Sequence, residues 1–192
     1  MILEKVASLQ IEEYFETNKL FGSFQFGFRK NKSTISEVLT LFDTLLEAKE
    51  QRKKIIILLY DLSSAFDTVC HEVLFKKLQS YGFDDHSISW MKSYLADRKQ
   101  MVSMSGNLST TQEIKVGVPQ GSRLSPLLFI CLMADLDLCV EKSMLSNFAD
   151  DTQSIIVSDK KEETLAITMR EANNVLTFFT NNRTANILLH PK

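Results

Sequence analysis

The 192-residue sequence has only three cysteines, Cys70, Cys131 and Cys139, and no two of them form a CxxC pair. His71, His86 and His190 are scattered and add no ligand cluster, which argues against a structural zinc site. An odd cysteine count without metal spacing points to reduced, mostly buried thiols and an intracellular setting, nucleus or cytoplasm undetermined. Long apolar runs are missing too. "IIILLY" and "PLLFICLMA" fall far short of the ~20 residues that span a bilayer, so no membrane partner is expected. The N-terminus "MILEKVASLQ" carries Glu4 and opens an amphipathic pattern, unlike a signal peptide. Nor is there an excess of positive charge: 22 Lys and Arg against 24 Asp and Glu give a formal −2. The chain as a whole is therefore no general nucleic-acid binder, since backbone affinity comes mostly from Lys and Arg. No GxxxxGK[ST] loop occurs, no DxD follows the apolar strand (position 63 is Ser63), and Asp67 precedes Thr68 and Val69, not Thr-Gly. P-loop and aspartic-protease chemistry therefore fit the sequence poorly. Repeats and low-complexity linkers are absent.

What is present suits a folded domain. Hydrophobic content is 44%, and the length fits one domain or one domain with a small lobe. Basic residues bunch in "FRKNK", "QRKK" and "DRKQ", most simply as solvated loops and helix ends. Residues 3–20 predict a helix, with Leu3, Val6, Leu9, Gln10 and Tyr14 at helical spacing. "FGSFQFGF" breaks it, and so many aromatics in a loop imply that the loop packs on something. A second helix begins near Ser33, with Thr34 and Glu37 at capping-box spacing and an apolar face of Ile35, Val38, Leu39, Phe42, Leu45 and Leu46. "IIILLYDL" (55–62) reads as a strand buried on both faces. Helices follow at 71–81, stopped by Gly82, and at 85–96. A hairpin then turns near Gly106–Asn107. Ser125 is the expected N-cap of the next helix, with Pro126 at its first position. "MLSNF", "ADD" and "TQSIIVS" form strand, turn and strand. A final helix over 161–180 has Leu165, Met169, Ala172, Leu176 and Phe179 on one side. This order gives an α+β domain with an antiparallel sheet backed by helices on one face.

The chemistry rests on carboxylates. Asp61 ends a strongly apolar strand, where a charge is costly unless paired or bound to a metal. Asp150 and Asp151 are adjacent at a hairpin turn, and neighbouring carboxylates raise each other's pKa unless a cation or solvent relieves them. An Asp-Asp pair in a turn is most often a solvated tip. If the two strands are neighbours, however, about 4.8 Å apart, the carboxylates converge at one rim. They would then make a hard-oxygen Mg²⁺ site able to hold phosphates. Asp150 is expected to be the main ligand and Asp151 the weaker partner, because adjacent strand residues face opposite ways. Asp67, Asp135 and Asp137 read as structural or capping residues.

"YDLSSAFDTVCHEVLFKKL", "GVPQGSRLSPLLF" and "FADDT", in that order and spacing, resemble the reverse transcriptases of non-LTR retrotransposons. "QFGFRKNKST" and "LEKV" resemble the segments ahead of that family's palm, so the likeness runs over nearly the whole chain to about residue 180. The resemblance implies a right-hand polymerase palm over 55–192, with partial fingers and pre-palm helices over 1–54 and no thumb. It implies an RNA-directed DNA polymerase acting on an RNA template, a DNA primer and deoxynucleoside triphosphates, with two Mg²⁺ ions for which Mn²⁺ can substitute. Asp61, Asp150 and Asp151 would be the metal carboxylates, with the Leu62 carbonyl as an added ligand. Phe66 would screen out a ribose 2′-hydroxyl, or else serve as a core aromatic. Pro119, Gln120 and Gly121 would lie along the incoming nucleotide and templating base. Arg29 and Lys30 would touch template backbone, in competition with plain surface solvation. Departures remain. The family's first fingers strands and their triphosphate-gripping basic residues are not found. Arg123 stands where an aliphatic residue is usual, and Lys192 is not assigned as a proton donor. A catalytically silent remnant or domesticated binding module is therefore the alternative.

Overall fold

The computed structural model describes residues 2–184 and, for 187–191, the backbone alone. Helix α1 (Ile2–Thr17) leads into the Phe-rich loop, and α2 (Thr34–Glu50) into strand β1 (Lys54–Leu62). After a 3₁₀ turn (Ala65–Thr68) come α3 (His71–Ser80) and α4 (Asp85–Leu95). Four two-residue strands follow: β2 (Lys99–Gln100), β3 (Ser103–Met104), β4 (Asn107–Leu108) and β5 (Gln112–Glu113). Helix α5 (Leu124–Leu132), a 3₁₀ turn (Leu136–Cys139), β6 (Met144–Phe148), β7 (Asp151–Ser158), α6 (Lys161–Asn181) and β8 (Ile187–Pro191) complete the order. Lys192 lies outside the described residues.

The main sheet runs β6-β7-β1-β8 and is antiparallel at every junction. One face is the core side. Leu58, Tyr60 and Leu62 alternate inward with Ser154 and Ile156 of β7 and Leu145 of β6, and Tyr60 meets Phe179 of α6. Tyr60 and Ser154 share a buried 3.0 Å hydrogen bond. Helix α5 is buried all round, between α1 and α3. The opposite face is only partly covered. There α2 lies across β1 and β6, and Asp61 at the end of β1 is exposed. Two expectations are corrected accordingly: β1 is not buried on both faces, and the helices do not all lie on one side.

Local signals shift by a residue or so. The capping box at α2 joins Ser33 and Ser36, not Thr34 and Glu37, which leaves the Glu37 side chain for other contacts. Helix α5 starts at Leu124 with Arg123, not Ser125, at its N-cap, and the Ser122 hydroxyl just ahead of the cap accepts from the Ser125 amide at 3.0 Å. Pro126 is then its third residue, where the missing N–H still costs nothing. The small hairpin turns at Ser105–Gly106, both with positive φ. In α6 the buried stripe is Thr164, Thr168, Glu171, Val175 and Phe178, with Phe179, while Leu165 and Met169 are exposed. In α1 the buried residues are Ser8, Ile11 and Phe15, and Leu3, Val6 and Leu9 are exposed. On α2, Ile35, Val38, Leu39, Phe42 and Leu46 are all exposed.

Candidate active site

The site forms where β1 ends beside the β6–β7 hairpin. The last β1–β7 pair is Tyr60 with Thr152, and Phe148 pairs with Asp151 across the hairpin. Continuing the same register by one step sets Asp61 across from Asp151, and directly opposed residues share a face. Ala149 and Asp150 make the two-residue turn, with Ala149 at φ 60°. That position of a tight hairpin favours glycine, so a non-glycine there holds backbone strain at the tip.

The Phe-rich loop supports this tip from the edge. Gln25 bridges Asn147 in parallel fashion, the Phe26 amide donates to the Asn147 carbonyl at 2.8 Å, and the Asn147 amide to the Phe24 carbonyl at 2.9 Å. Phe21 and Phe26 are buried, as so many loop aromatics implied. Gly27 is required here by close approach: a Cβ would stand 2.3 Å from the Ala149 nitrogen.

Electrostatics mark the convergence. Asp151 is an exposed residue, yet partial desolvation, followed by the charges of Asp150 and Asp61, raises its carboxyl above the usual carboxylate range. No cation of the described chain is paired with any of the three. On the α2 side, Asp61, Asp151, Phe148, Gln153, Thr34 and Glu37 line a cavity of about 440 Å³. Among the described residues no three His, Cys, Asp or Glu side chains are already grouped closely enough to hold a metal ion. The donor set nevertheless suits a hard divalent cation: like charges from two chain segments meet at an open rim, and oxygen ligands are all they offer.

The surrounding residues fall into two groups. Phe66 is half-buried, with its ring 5.1 Å from Phe129 and edge-on to Phe28 at 6.3 Å. The Pro119–Gly121 loop is docked beside it, since the Val118 amide donates to the Phe66 carbonyl at 2.9 Å and the Gly117 amide to that of Val69 at 2.8 Å. Gln120 is exposed, and its amide donates to Asp67 Oδ1 at 2.8 Å. Gly121 has φ 80° with open space where a Cβ would be, so backbone conformation and not crowding selects glycine. Leu62 is buried in the core and pairs with Ile187. Arg29 is engaged within the chain: it forks onto Glu16 at 2.9 and 2.7 Å, donates to the Gly22 carbonyl and lies over the Phe21 ring. Lys30 is exposed.

Sequence reasoning missed Glu37, which sits over the site, and the part of Asp67 in holding Gln120. The signal for Glu37 was its place in the first turn of α2, four residues after the capping serine. His71, whose ring nitrogen contacts the Gly117 carbonyl at 2.7 Å, was also passed over.

Residues 2–185 match the family model described as reverse transcriptase (RNA-dependent DNA polymerase). The chain belongs to the reverse transcriptase family. This reverse transcriptase chain is 31% identical over 156 residues to the probable RNA-directed DNA polymerase from transposon BS of Drosophila melanogaster. That match covers 77% of the chain and 17% of the relative. It is 30% identical over 174 residues to the RNA-directed DNA polymerase from mobile element jockey of the same fly, covering 87% and 19%. The chain thus spans less than a fifth of the length of these curated relatives. Among solved structures, the telomerase of Candida albicans in complex with a fragment of telomeric RNA superposes with TM-score 0.64 at 14% identity. The superposition covers 97% of this chain and 35% of that one. Apo telomerase from Candida tropicalis, truncated from its C-terminal domain, gives 0.63 at 14%, covering 98% and 40%. The fold is that of a reverse transcriptase palm, and the resemblance to retrotransposon reverse transcriptases holds. No helix among the described residues is long and apolar enough to cross a membrane.

Proposed function

We propose that this chain carries the nucleotidyl-transfer centre of an RNA-directed DNA polymerase, with Asp61, Asp150 and Asp151 holding two divalent cations, Mg²⁺ or Mn²⁺. The observation that supports it most is the strand register, which ends β1 at Asp61 beside the hairpin turn that carries Asp150 and Asp151, with Asp61 and Asp151 lining one cavity. Bound ions would neutralise phosphate charge and lower the pKa of a primer 3′-hydroxyl. The protein's own part is placement. Phosphoryl transfer draws its rate mainly from positioning and electrostatics, and a rigid sheet end provides both. The Leu62 carbonyl would add an oxygen ligand. Phe66, wedged between Phe28 and Phe129, would present a fixed ring edge where a ribose 2′-hydroxyl would otherwise fit. Pro119 and Gly121 would shape the loop along the incoming nucleotide, where Gln120 would exchange its Asp67 partner for substrate. Lys30 is the better placed of the basic pair for template phosphate, because Arg29 is already engaged by Glu16. The division into pre-palm helices (1–54) and palm (55–192) belongs to the same proposal.

Primer extension on an RNA template in Mn²⁺ tests it. Weak extension by this chain that vanishes in Asp61→Ala and Asp150→Ala supports the reading. Extension untouched by Asp61→Ala overturns it. No extension, with RNA–DNA hybrid bound equally by the wild type and Asp61→Ala, would leave a silent binding module.

A further inference from the structure

Helix α2 places a carboxylate directly above the hairpin that carries Asp150 and Asp151. Glu37 is 9% exposed and accepts from Ser146 Oγ at 2.8 Å and from Gln153 Nε2 at 3.4 Å. Ser146 is on β6, Gln153 is on β7, and the two are cross-strand partners. A single carboxylate therefore ties both arms of the hairpin to a helix that is separate from the sheet. The next pair on the same face toward the turn is Phe148 with Asp151, two residues along each strand, or roughly 7 Å.

The placement is costly unless something needs it. A nearly buried carboxylate is disfavoured, and Glu37 faces a cavity already shared with Asp61 and Asp151. Two features offset the cost: the two donors, and a position in the first turn of α2, where the helix dipole favours negative charge. An apolar residue would pack there without either. At the tip itself, Ala149 holds strained backbone and Asp150 and Asp151 repel. A two-residue turn of that kind keeps its geometry only when neighbouring contacts over-determine it.

We propose that Glu37 is a positioning residue that clamps the β6–β7 hairpin and so keeps Asp150 and Asp151 in reach of Asp61. This rests on the metal-site reading above and adds a residue that touches neither ion nor substrate. Its role is that of a supporting hydrogen bond which orients ligands from behind. Among the described residues this is the only hydrogen-bonded link between the first turn of α2 and both hairpin strands, and it adds to the hold that the Phe-rich loop has on the tip from the edge.

Two readouts test it on the purified chain: hydrogen exchange at the Phe148–Asp151 amides, and Mn²⁺ affinity. In Glu37→Leu, exchange at the tip should rise about tenfold while amides of α5 stay protected, and Mn²⁺ affinity should fall about tenfold. Glu37→Gln keeps an acceptor for Ser146 and should restore most of both; a loss equal to that of Glu37→Leu would overturn the clamp in favour of simple charge. Ser146→Ala with Gln153→Ala approaches the same contact from the other side and should reproduce the faster exchange even if Glu37→Leu does not fold. Tip exchange in these variants equal to wild type overturns the clamp. Should the wild type bind no Mn²⁺ while the variants still loosen the tip, the metal-site reading fails and the clamp stands.

Discussion

Asp61 and Asp151 are the next residues along after the last β1–β7 pair, Tyr60 with Thr152, and they line the same cavity. Partial desolvation, followed by the charges of Asp150 and Asp61, raises the Asp151 carboxyl. A carboxyl raised in the folded state binds protons more tightly there than when unfolded. Its contribution to stability is complete below the ordinary value of 3.8 and is lost as pH climbs through the raised value. Asp151→Asn should flatten that part of the profile. Urea midpoints between pH 3.5 and pH 7 in metal-free buffer check this: the wild type should lose more over that interval than the variant.

Glu171 should show the opposite sign. Its side chain is buried on α6 and accepts from the amides of Glu141, Lys142 and Ser143 at 3.2, 2.7 and 2.8 Å. Burial pushes its carboxyl up, but the hydrogen bonds from Ser143, Lys142 and Glu141 outweigh that and hold it below the usual value. The stability it supplies is present above the ordinary value of 4.5 and lost as pH falls through the lowered one. Glu171→Gln should cost about 1–3 kcal/mol at pH 7, by urea unfolding, and less in acid.

Gly27→Ala should strain the hairpin tip. The added methyl would meet the Ala149 nitrogen at 2.3 Å, and backbone cannot yield as a flexible side chain can. A loss of about 1–3 kcal/mol is expected by chemical denaturation, with the largest amide shifts at Phe148–Asp150. Shifts confined to the 21–28 loop would mean that the tip is independent of it.

Phe66→Val should separate packing from sugar selection. Shortening the ring removes the Phe129 contact and should cost about 1–3 kcal/mol. In any primer-extending form of the protein it should also raise ribonucleotide use relative to deoxynucleotide. Unchanged sugar preference with lowered stability would leave Phe66 a packing residue alone.

Much of this was legible in the sequence because it depends on local rules. The unbroken run 55–62 could hardly be other than a strand, Gly82 closes α3 with φ 96°, and "FADDT" sits in the hairpin it suggested. What periodicity misplaced was which face each helix buries. On α6 the apolar count favoured Leu165 and Met169, yet the packed stripe runs through Thr164, Thr168 and Glu171, because Glu171 satisfies three loop amides. On α2 Ile35, Val38, Leu39, Phe42 and Leu46 face outward, while Glu37 turns in with Ala48. A buried carboxylate whose donors lie more than a hundred residues away leaves no local mark beyond its place in the first turn of the helix. Arg29 is similar: a basic cluster in sequence, it is occupied in space by Glu16.

The most direct test is Mn²⁺ binding, measured by calorimetry, to the wild type and to Asp61→Asn and Asp150→Asn, with folding checked by circular dichroism. If residues from both chain segments share the ions, each substitution should weaken binding by more than about tenfold, since a direct ligand should cost no less than a supporting one. Equal affinity in all three folded proteins would contradict the account.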